Sequence, residues 1–323
     1  MSDQFVLLIL GKPTEQFLDR ISEVRQWAEV RIARNIEQAG KSIPQADVIL
    51  VLAHTGAWLQ DHWKSAGRLR WIHTDSTGVE DILFPALERR PVLLTNSRGA
   101  YSSPLAEFVM LCVLFFAKAV PVMERNRQNH VWEAYPLKEV RGQTIGIVGF
   151  GETGRAVSRL ASAFGMSVVA TKRNSQATMA TEETAQLVPS ECWHELLSIS
   201  DYIVNALPLT AETLRKFGEY EFRAMKPSSC FVNVGRGKTV DESSLVKALK
   251  EGWIAGAGLD VYEAEPLGPD SELYSLPNVI LSPHYADKVA SSTDNVVTIF
   301  LENLRRFVRG EALLNIVDKQ AGY

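Results

Sequence analysis

The chain has 323 residues, 46% of them hydrophobic and 22% charged, with a formal net charge of -4. That length exceeds what one hydrophobic core ordinarily supports and predicts two domains. The mild acidity gives no reason to expect a nucleic-acid or membrane-surface partner.

The N-terminal stretch "MSDQFVLLILGKP" places an acid before its apolar run, which stops at Gly11. It lacks the basic start and small-residue cleavage site of a signal peptide and predicts a buried strand over 5–10. Cys112, Cys192 and Cys230 stand far apart, in neither disulfide nor zinc spacing, as expected of reduced core thiols in a cytoplasmic protein. Over 14–28, Phe17, Ile21, Val24 and Trp27 share one helical face, predicting a helix. Apolar runs at 46–52, 69–73 and 91–95 read as further strands. The segment 104–122 is apolar without interruption only from Phe108 to Ala117, between Glu107 and Lys118. That falls short of the roughly 20 residues that span a bilayer, and predicts a buried helix at a domain or subunit interface. Strands follow at 144–150, 167–171, 201–207, 230–234, 255–259 and 278–282, with helices including 154–164 and 242–250. A last helix at 291–310 is placed to pack back on the first domain.

Strand–helix alternation of this kind implies parallel sheets covered by helices on both faces. A glycine-rich turn begins at Gly149, so an α/β unit of its own precedes it. The expected fold is therefore α/β, with two doubly wound parallel-sheet domains and a cleft between them. A flavodoxin-like substrate domain takes residues 1–98 plus 288–323, and a Rossmann dinucleotide-binding domain takes 99–287. Ligands in such folds sit at the carboxyl ends of the strands.

Gly149-Phe150-Gly151-Glu152-Thr153-Gly154 matches G-x-G-x-x-G, with a β-rich run before it and a helical stretch after it. The first glycine makes the turn, the second admits a pyrophosphate, and the third lets helix and strand pack closely. Helix N–H groups then face the phosphates. The next strand should end in an acid that accepts from the adenosine ribose hydroxyl. Lys172, Arg173 and Asn174 stand there instead, and a lysine accepts no hydrogen bond. The site suits a 2′-phosphate, which favours NADP(H) over NAD(H), with NAD(H) as the alternative.

Further motifs are "NSRGAYSSPLAEFVM" (96–110), "LPLTAET" (207–213), "NVGRGKTVDESSLVKAL" (233–249), "AGAGLDVYEAEPL" (255–267) and "LPNVILSPH" (276–284). With the glycine turn, they resemble the D-isomer-specific 2-hydroxyacid dehydrogenase family, across nearly the whole chain and in the family's order. The resemblance implies hydride transfer between NAD(P)(H) and a small 2-oxo or D-2-hydroxy acid, as in glyoxylate and hydroxypyruvate reductases. It implies that Arg236 grips the substrate carboxylate through a two-point bond. It implies that His284 is the acid/base residue, with Glu265, before Pro266, orienting the imidazole and favouring its protonated form. Glu263, two residues earlier, does not fit the pattern. Backbone N–H groups near Gly78 and Val79, with Ser76 and Thr77, would hold the carboxylate in the first domain. Leu207, Pro208, Thr213 and Val234 match cofactor-lining positions, Asp260 matches the residue that meets the nicotinamide amide, and Arg98 and Gly99 match a position near the hinge. The family's usual state predicts a homodimer through the nucleotide domain.

The remaining histidines (His54, His62, His73, His130, His194) fall in no motif and are expected at the surface or behind the site, with His54 near enough to a strand end to reach the cleft. Cys192 and His194 alone make no metal site. Glu152-Thr153 replaces the family's Arg-Ile and sets a carboxylate beside the pyrophosphate unless it turns outward, while Thr153 offers a hydroxyl. Glu80 stands for the usual Asp, and Tyr285 and Asp287 stand where small residues are usual, which leaves the particular acid open. A dinucleotide-sensing corepressor is the reading from another class; the chain has no basic localisation run or partner-binding tail to support it.

Overall fold

A computed structural model describes residues 5–52, 54–172 and 185–323. The chain divides into two compact units, Met1–Tyr101 with Val289–Tyr323, and Ser102–Lys288.

The first unit holds β1 (Phe5–Leu10), β2 (Ala28–Ala33), β3 (Val48–Val51), β4 (Trp71–Thr74) and β5 (Leu93–Asn96). They form one parallel sheet in the order β2-β1-β3-β4-β5. This is the flavodoxin-like order, with its switch point between β1 and β3. Because successive side chains point to opposite faces, the continuous run of β1 serves two cores. Leu8 and Leu10 pack with Ala39, Leu59 and Ile72 on one side. Leu7 and Ile9 pack on the other with Trp71 and with Val297, Phe300 and Leu304 of the helix Ala290–Arg309. The C-terminal helix thus belongs to the first unit.

One local expectation is corrected and one is narrowed. The stretch 14–28 is not one helix: an α-helix, Glu15–Arg20, tightens into a 3-10 turn, Ser22–Gln26, and the chain enters β2 at Ala28. The tighter turn keeps Phe17, Ile21 and Val24 buried while redirecting the backbone toward the sheet edge. His73 is not near the surface. It lies fully buried in β4, its Nδ1 2.7 Å from Thr95 Oγ1 and its Nε2 3.1 Å from Ser97 Oγ. Ser97 donates to the Thr74 carbonyl and Thr95 accepts from Trp71 Nε1. A neutral ring protonated on Nε2 satisfies every one of these groups. Burial accordingly pushes the His73 pKa down to about 3.

The second unit adds β6 (Thr144–Val148), β7 (Ser167–Lys172), β8 (Gln186–Pro189), β9 (Tyr202–Asn205), β10 (Cys230–Asn233), β11 (Gly256–Leu259) and β12 (Val279–Leu281). Its parallel sheet runs β12-β11-β10-β9-β6-β7-β8. This is the dinucleotide-binding order extended by one strand, with the reversal between β6 and β9. The helices Ser102–Ala117 and Glu152–Ala163 cover one face. Trp193–Ile199, Glu219–Ala224 and Glu242–Lys250 cover the other. The apolar segment at 104–122 is broken: its helix ends at Ala117 and resumes as Val120–Gln128 after a 62° bend. Among the described residues, no single helix is long and apolar enough to cross a membrane. All three thiols are free, and burial pushes those of Cys112 and Cys230 up to about 12.

Candidate active site

The glycine turn leaves the carboxyl end of β6. Gly149 adopts φ +103°, and a Cβ there would stand 2.7 Å from the Ala206 carbonyl oxygen, so both conformation and space demand glycine. At Gly154 a Cβ would come 2.6 Å from the Gly149 carbonyl oxygen, which makes the close helix–strand contact. Gly151 differs, with nothing within 4 Å of a Cβ. It precedes the helix Glu152–Ala163 without a side-chain cap. The first N–H groups of that helix therefore border open space, which fits a pyrophosphate. Glu152 turns outward along its helix, where its Oε1 lies 3.5 Å from Arg155 Nη1. Thr153 lies half-buried in the first turn. Lys172 ends β7, and the register Val148↔Thr171 sets it level with Gly149. Arg173 and Asn174 lie outside the described residues.

A buried amide network joins the ends of β9 and β10. Asn205 Nδ2 donates to Asn233 Oδ1 (3.0 Å) and Thr239 Oγ1 (2.7 Å), while Asn205 Oδ1 accepts from Leu207 N (3.2 Å). Thr239 Oγ1 donates to the Arg236 carbonyl at 2.6 Å, and Asn233 Oδ1 accepts from Gly235 N at 3.2 Å. The Leu207-Pro208 loop and the Arg236 turn are thus held by one cluster. Thr213 Oγ1 donates to the Pro208 carbonyl at 2.6 Å and closes the same loop; Val234 is buried.

The two residues expected to form an acid/base pair come together. His284 Nδ1 lies 2.7 Å from Glu265 Oε2, and the other carboxylate oxygen accepts from Tyr262 N at 3.0 Å. Glu263 is engaged elsewhere, with Arg215 Nη2 at 2.6 Å. The Tyr262 hydroxyl donates to the Ser282 carbonyl at 2.8 Å, which ties the glutamate segment to the histidine segment. Burial pushes that phenol's pKa up, with the Asp260 charge adding to it. Asp260 is buried, and its Oδ1 accepts from Ser282 Oγ (2.6 Å), Tyr285 N (2.9 Å) and Ala286 N (3.0 Å). It organises the loop around His284, which itself adopts φ +54°. Non-glycine residues hold such backbone angles chiefly where surrounding structure imposes them, often at functional sites. Because a carboxylate only accepts, the ring donates from Nδ1, and Nε2 is the atom left for proton exchange.

In the first unit, the 76–79 loop follows β4. Asn96 Nδ2 donates to the Thr77 carbonyl (2.7 Å), Ser97 N to the Ser76 carbonyl (2.9 Å), and the Tyr101 hydroxyl to the Asp75 carbonyl (2.6 Å). Ser76 and Thr77 are exposed, Gly78 half-buried, and Val79 anchors the loop in the core. Arg98 Nη2 donates to Asn315 Oδ1 at 3.4 Å. Tyr262, Asn205, Asn233 and Thr239 escaped sequence reasoning because each bonds to a segment distant in sequence, which carries no spacing signal. Among the described residues, no group of three metal-ligating side chains converges, Cys192 and His194 included.

The profile of the D-isomer specific 2-hydroxyacid dehydrogenase NAD binding domain matches residues 110–286. The chain belongs to this family. Glyoxylate reductase of Thermococcus gammatolerans is 37% identical over 265 residues, covering 79% of this chain and 78% of that one. Glyoxylate reductase of Pyrococcus furiosus is 33% identical over 313 residues, 94% and 91% of the two chains. The crystal structure of an NADPH-dependent glyoxylate/hydroxypyruvate reductase from Sinorhizobium meliloti, in complex with NADP and sulfate, superposes with a TM-score of 0.85 at 25% identity, covering 98% of this chain and all of that one. As a member of the D-isomer specific 2-hydroxyacid dehydrogenases, the chain is an NAD(P)-dependent oxidoreductase acting on CH–OH donors, with a nicotinamide dinucleotide as cofactor.

Proposed function

We propose that this 2-hydroxyacid dehydrogenase is an NADP(H)-dependent reductase of small 2-oxo acids of the glyoxylate and hydroxypyruvate type, yielding D-2-hydroxy acids. The observation that carries the reading is the 2.7 Å contact of His284 Nδ1 with Glu265, which leaves Nε2 as the proton-carrying atom. In reduction, His284 gives its Nε2 proton to the carbonyl oxygen as that oxygen gains charge, and in oxidation it takes the proton back. Glu265 holds the ring in the tautomer this requires. Arg236 is the proposed carboxylate-binding residue, through paired N–H donors, and the backbone N–H groups of the 76–79 loop are the proposed substrate contacts of the first unit. The nicotinamide, when bound, supplies or accepts the hydride. Gly149, Gly151, Thr153 and Gly154 take the pyrophosphate, and Leu207, Pro208, Thr213, Val234 and Asp260 shape the rest of the cofactor site.

Lys172 at the end of β7 supports the phosphorylated cofactor, since a lysine offers a ribose hydroxyl no acceptor but offers a 2′-phosphate a charge. Arg173 and Asn174 complete the proposed phosphate site. We also infer a homodimer through the second unit. Leu111, Met123, Trp132 and Leu137 are exposed there, and aromatic and apolar side chains of this kind mark association surfaces.

The test is a steady-state comparison of NADPH with NADH across glyoxylate, hydroxypyruvate, pyruvate and bulkier 2-oxo acids. NADPH oxidation that depends on the acid and is abolished in His284→Ala is expected. A preference for NADH that persists in Lys172→Ala/Arg173→Ala would overturn the cofactor assignment. Sedimentation equilibrium checks the dimer.

A further inference from the structure

The first unit carries a second histidine–carboxylate pair at the carboxyl edge of its sheet, outside every motif assigned above. His54 stands three residues beyond β3, with Nδ1 2.9 Å from Asp81 Oδ2. Asp81 stands two residues beyond the 76–79 loop. The two segments are clamped together: a Cβ on Gly56 would come 2.2 Å from the Asp81 carbonyl oxygen. Thr55 Oγ1 donates to the Leu52 carbonyl (2.7 Å) and the Leu10 carbonyl (3.2 Å), tying this loop to the end of β1 as well. β3 and β4 are neighbours with Val51 opposite Thr74. His54 and Thr77 therefore follow paired positions by equal steps, on strands roughly 4.8 Å apart. β3 also flanks the switch point of this sheet, where ligands of such folds bind.

Stability does not account for the pair. His54 adopts φ +60°, which a non-glycine residue rarely holds. Its side chain is 89% exposed, and an ion pair so exposed contributes little to folding. The Asp81 carboxylate accepts from Nδ1, so the ring has a set tautomer. Nε2, on the far side of the ring, makes no hydrogen bond among the described residues. A neutral ring accepts there and a protonated ring donates. A hydroxyl group answers both states, and a methyl group answers neither.

We propose that His54 is a specificity residue that recognises the C3 hydroxyl of a 2-oxo acid whose carboxylate is held by the 76–79 loop. This rests on the reductase reading above and narrows its substrate to 3-hydroxy-2-oxo acids. Carboxylate and C3 hydroxyl sit on carbons two bonds apart, a span that neighbouring strand ends match and more distant ones do not. Asp81 is the positioning residue that holds the ring.

The experiment measures kcat/KM with NADPH for hydroxypyruvate, for pyruvate (a methyl in place of the hydroxymethyl) and for glyoxylate (no C3). Wild type is expected to favour hydroxypyruvate over pyruvate. In His54→Ala, hydroxypyruvate is expected to lose about tenfold, the scale of one lost hydrogen bond, while pyruvate and glyoxylate hold within about twofold. His54→Gln, which keeps a polar side chain, is expected to recover part of the loss, and Asp81→Asn to show a smaller loss of the same selectivity. A merely structural role would lower all three substrates together, and that result, or no change in any, overturns the proposal. Wild-type turnover of other 2-oxo acids but none of these three overturns the His54 assignment and the glyoxylate–hydroxypyruvate substrate type, while the broader reading as a 2-oxo acid reductase stands. Turnover of no 2-oxo acid removes that reading and this one with it.

Discussion

His284 keeps 44% of its side chain exposed, whereas His73 is wholly enclosed by Trp71, Thr95, Ser97 and Phe300. The first has one nitrogen tied to a carboxylate; the second has both nitrogens committed to hydroxyls. Only the first can pass a proton to a ligand. In Glu265→Gln an amide replaces the carboxylate that orients the ring, and kcat is expected to fall about 10²-fold with little change in cofactor affinity, read from single-turnover rates and NADPH titration. A parallel loss of cofactor affinity would instead point to collapse of the loop. His73 bears on stability. In the unfolded chain an imidazole takes its proton near pH 6.5, but the buried ring does so only near pH 3. The unfolded state thus binds the extra proton between these values, so stability is intact above the window and lost as pH falls through it. At pH 5 the loss amounts to about 2 kcal/mol by that linkage. Urea unfolding at pH 8 and pH 5 should show wild type losing this much more than His73→Gln; equal losses would refute the assignment.

At the scale of elements, the glycine turn is held by two different constraints, and they predict different consequences. Gly149→Ala meets both a positive φ and the Ala206 carbonyl, so it should cost about 1–3 kcal/mol and displace the turn. A lowered melting temperature together with a raised KM for NADPH is the expected outcome, and an unchanged KM would count against the turn as the pyrophosphate site. This turn was legible in the sequence because its spacing reflects backbone geometry directly. Strands buried on both faces were legible too, since "FVLLIL" and "TIGIV" are continuous apolar runs. The strands that escaped are β2 and β8, and each is an edge of its sheet. β2 exposes Glu29 and pairs it with Arg31 at 2.7 Å, so its apolar signal is diluted by charges that guard the edge. His284 and Glu265, the proposed acid/base pair, could be named from motifs, but the Tyr262 hydroxyl that fastens their segments could not. Its bond to Ser282 crosses 20 residues and depends on the two segments meeting after folding.

At the scale of the whole molecule, the first unit is sewn together from both ends of the chain. Val297, Phe300 and Leu304 of the C-terminal helix fill one face of a sheet whose strands all lie before residue 100, and Phe300 stacks on Trp71 at 5.7 Å. The second unit has its own separate cores, built only from residues between these segments. A cavity made by Phe300→Ala should therefore weaken the first unit by about 3–5 kcal/mol, the usual cost of removing a fully buried phenyl ring. Phe300 is not part of the cores of the second unit, which holds the glycine turn. Hydrogen exchange should show protection falling across β1, β3, β4 and the helix Ala290–Arg309 while β6, β9 and β10 keep theirs. NADPH binding, followed by fluorescence, should survive to temperatures at which turnover is already lost, because the proposed carboxylate loop at 76–79 belongs to the weakened unit. Loss of protection in both units at the same denaturant concentration would show instead that the chain folds as one cooperative body.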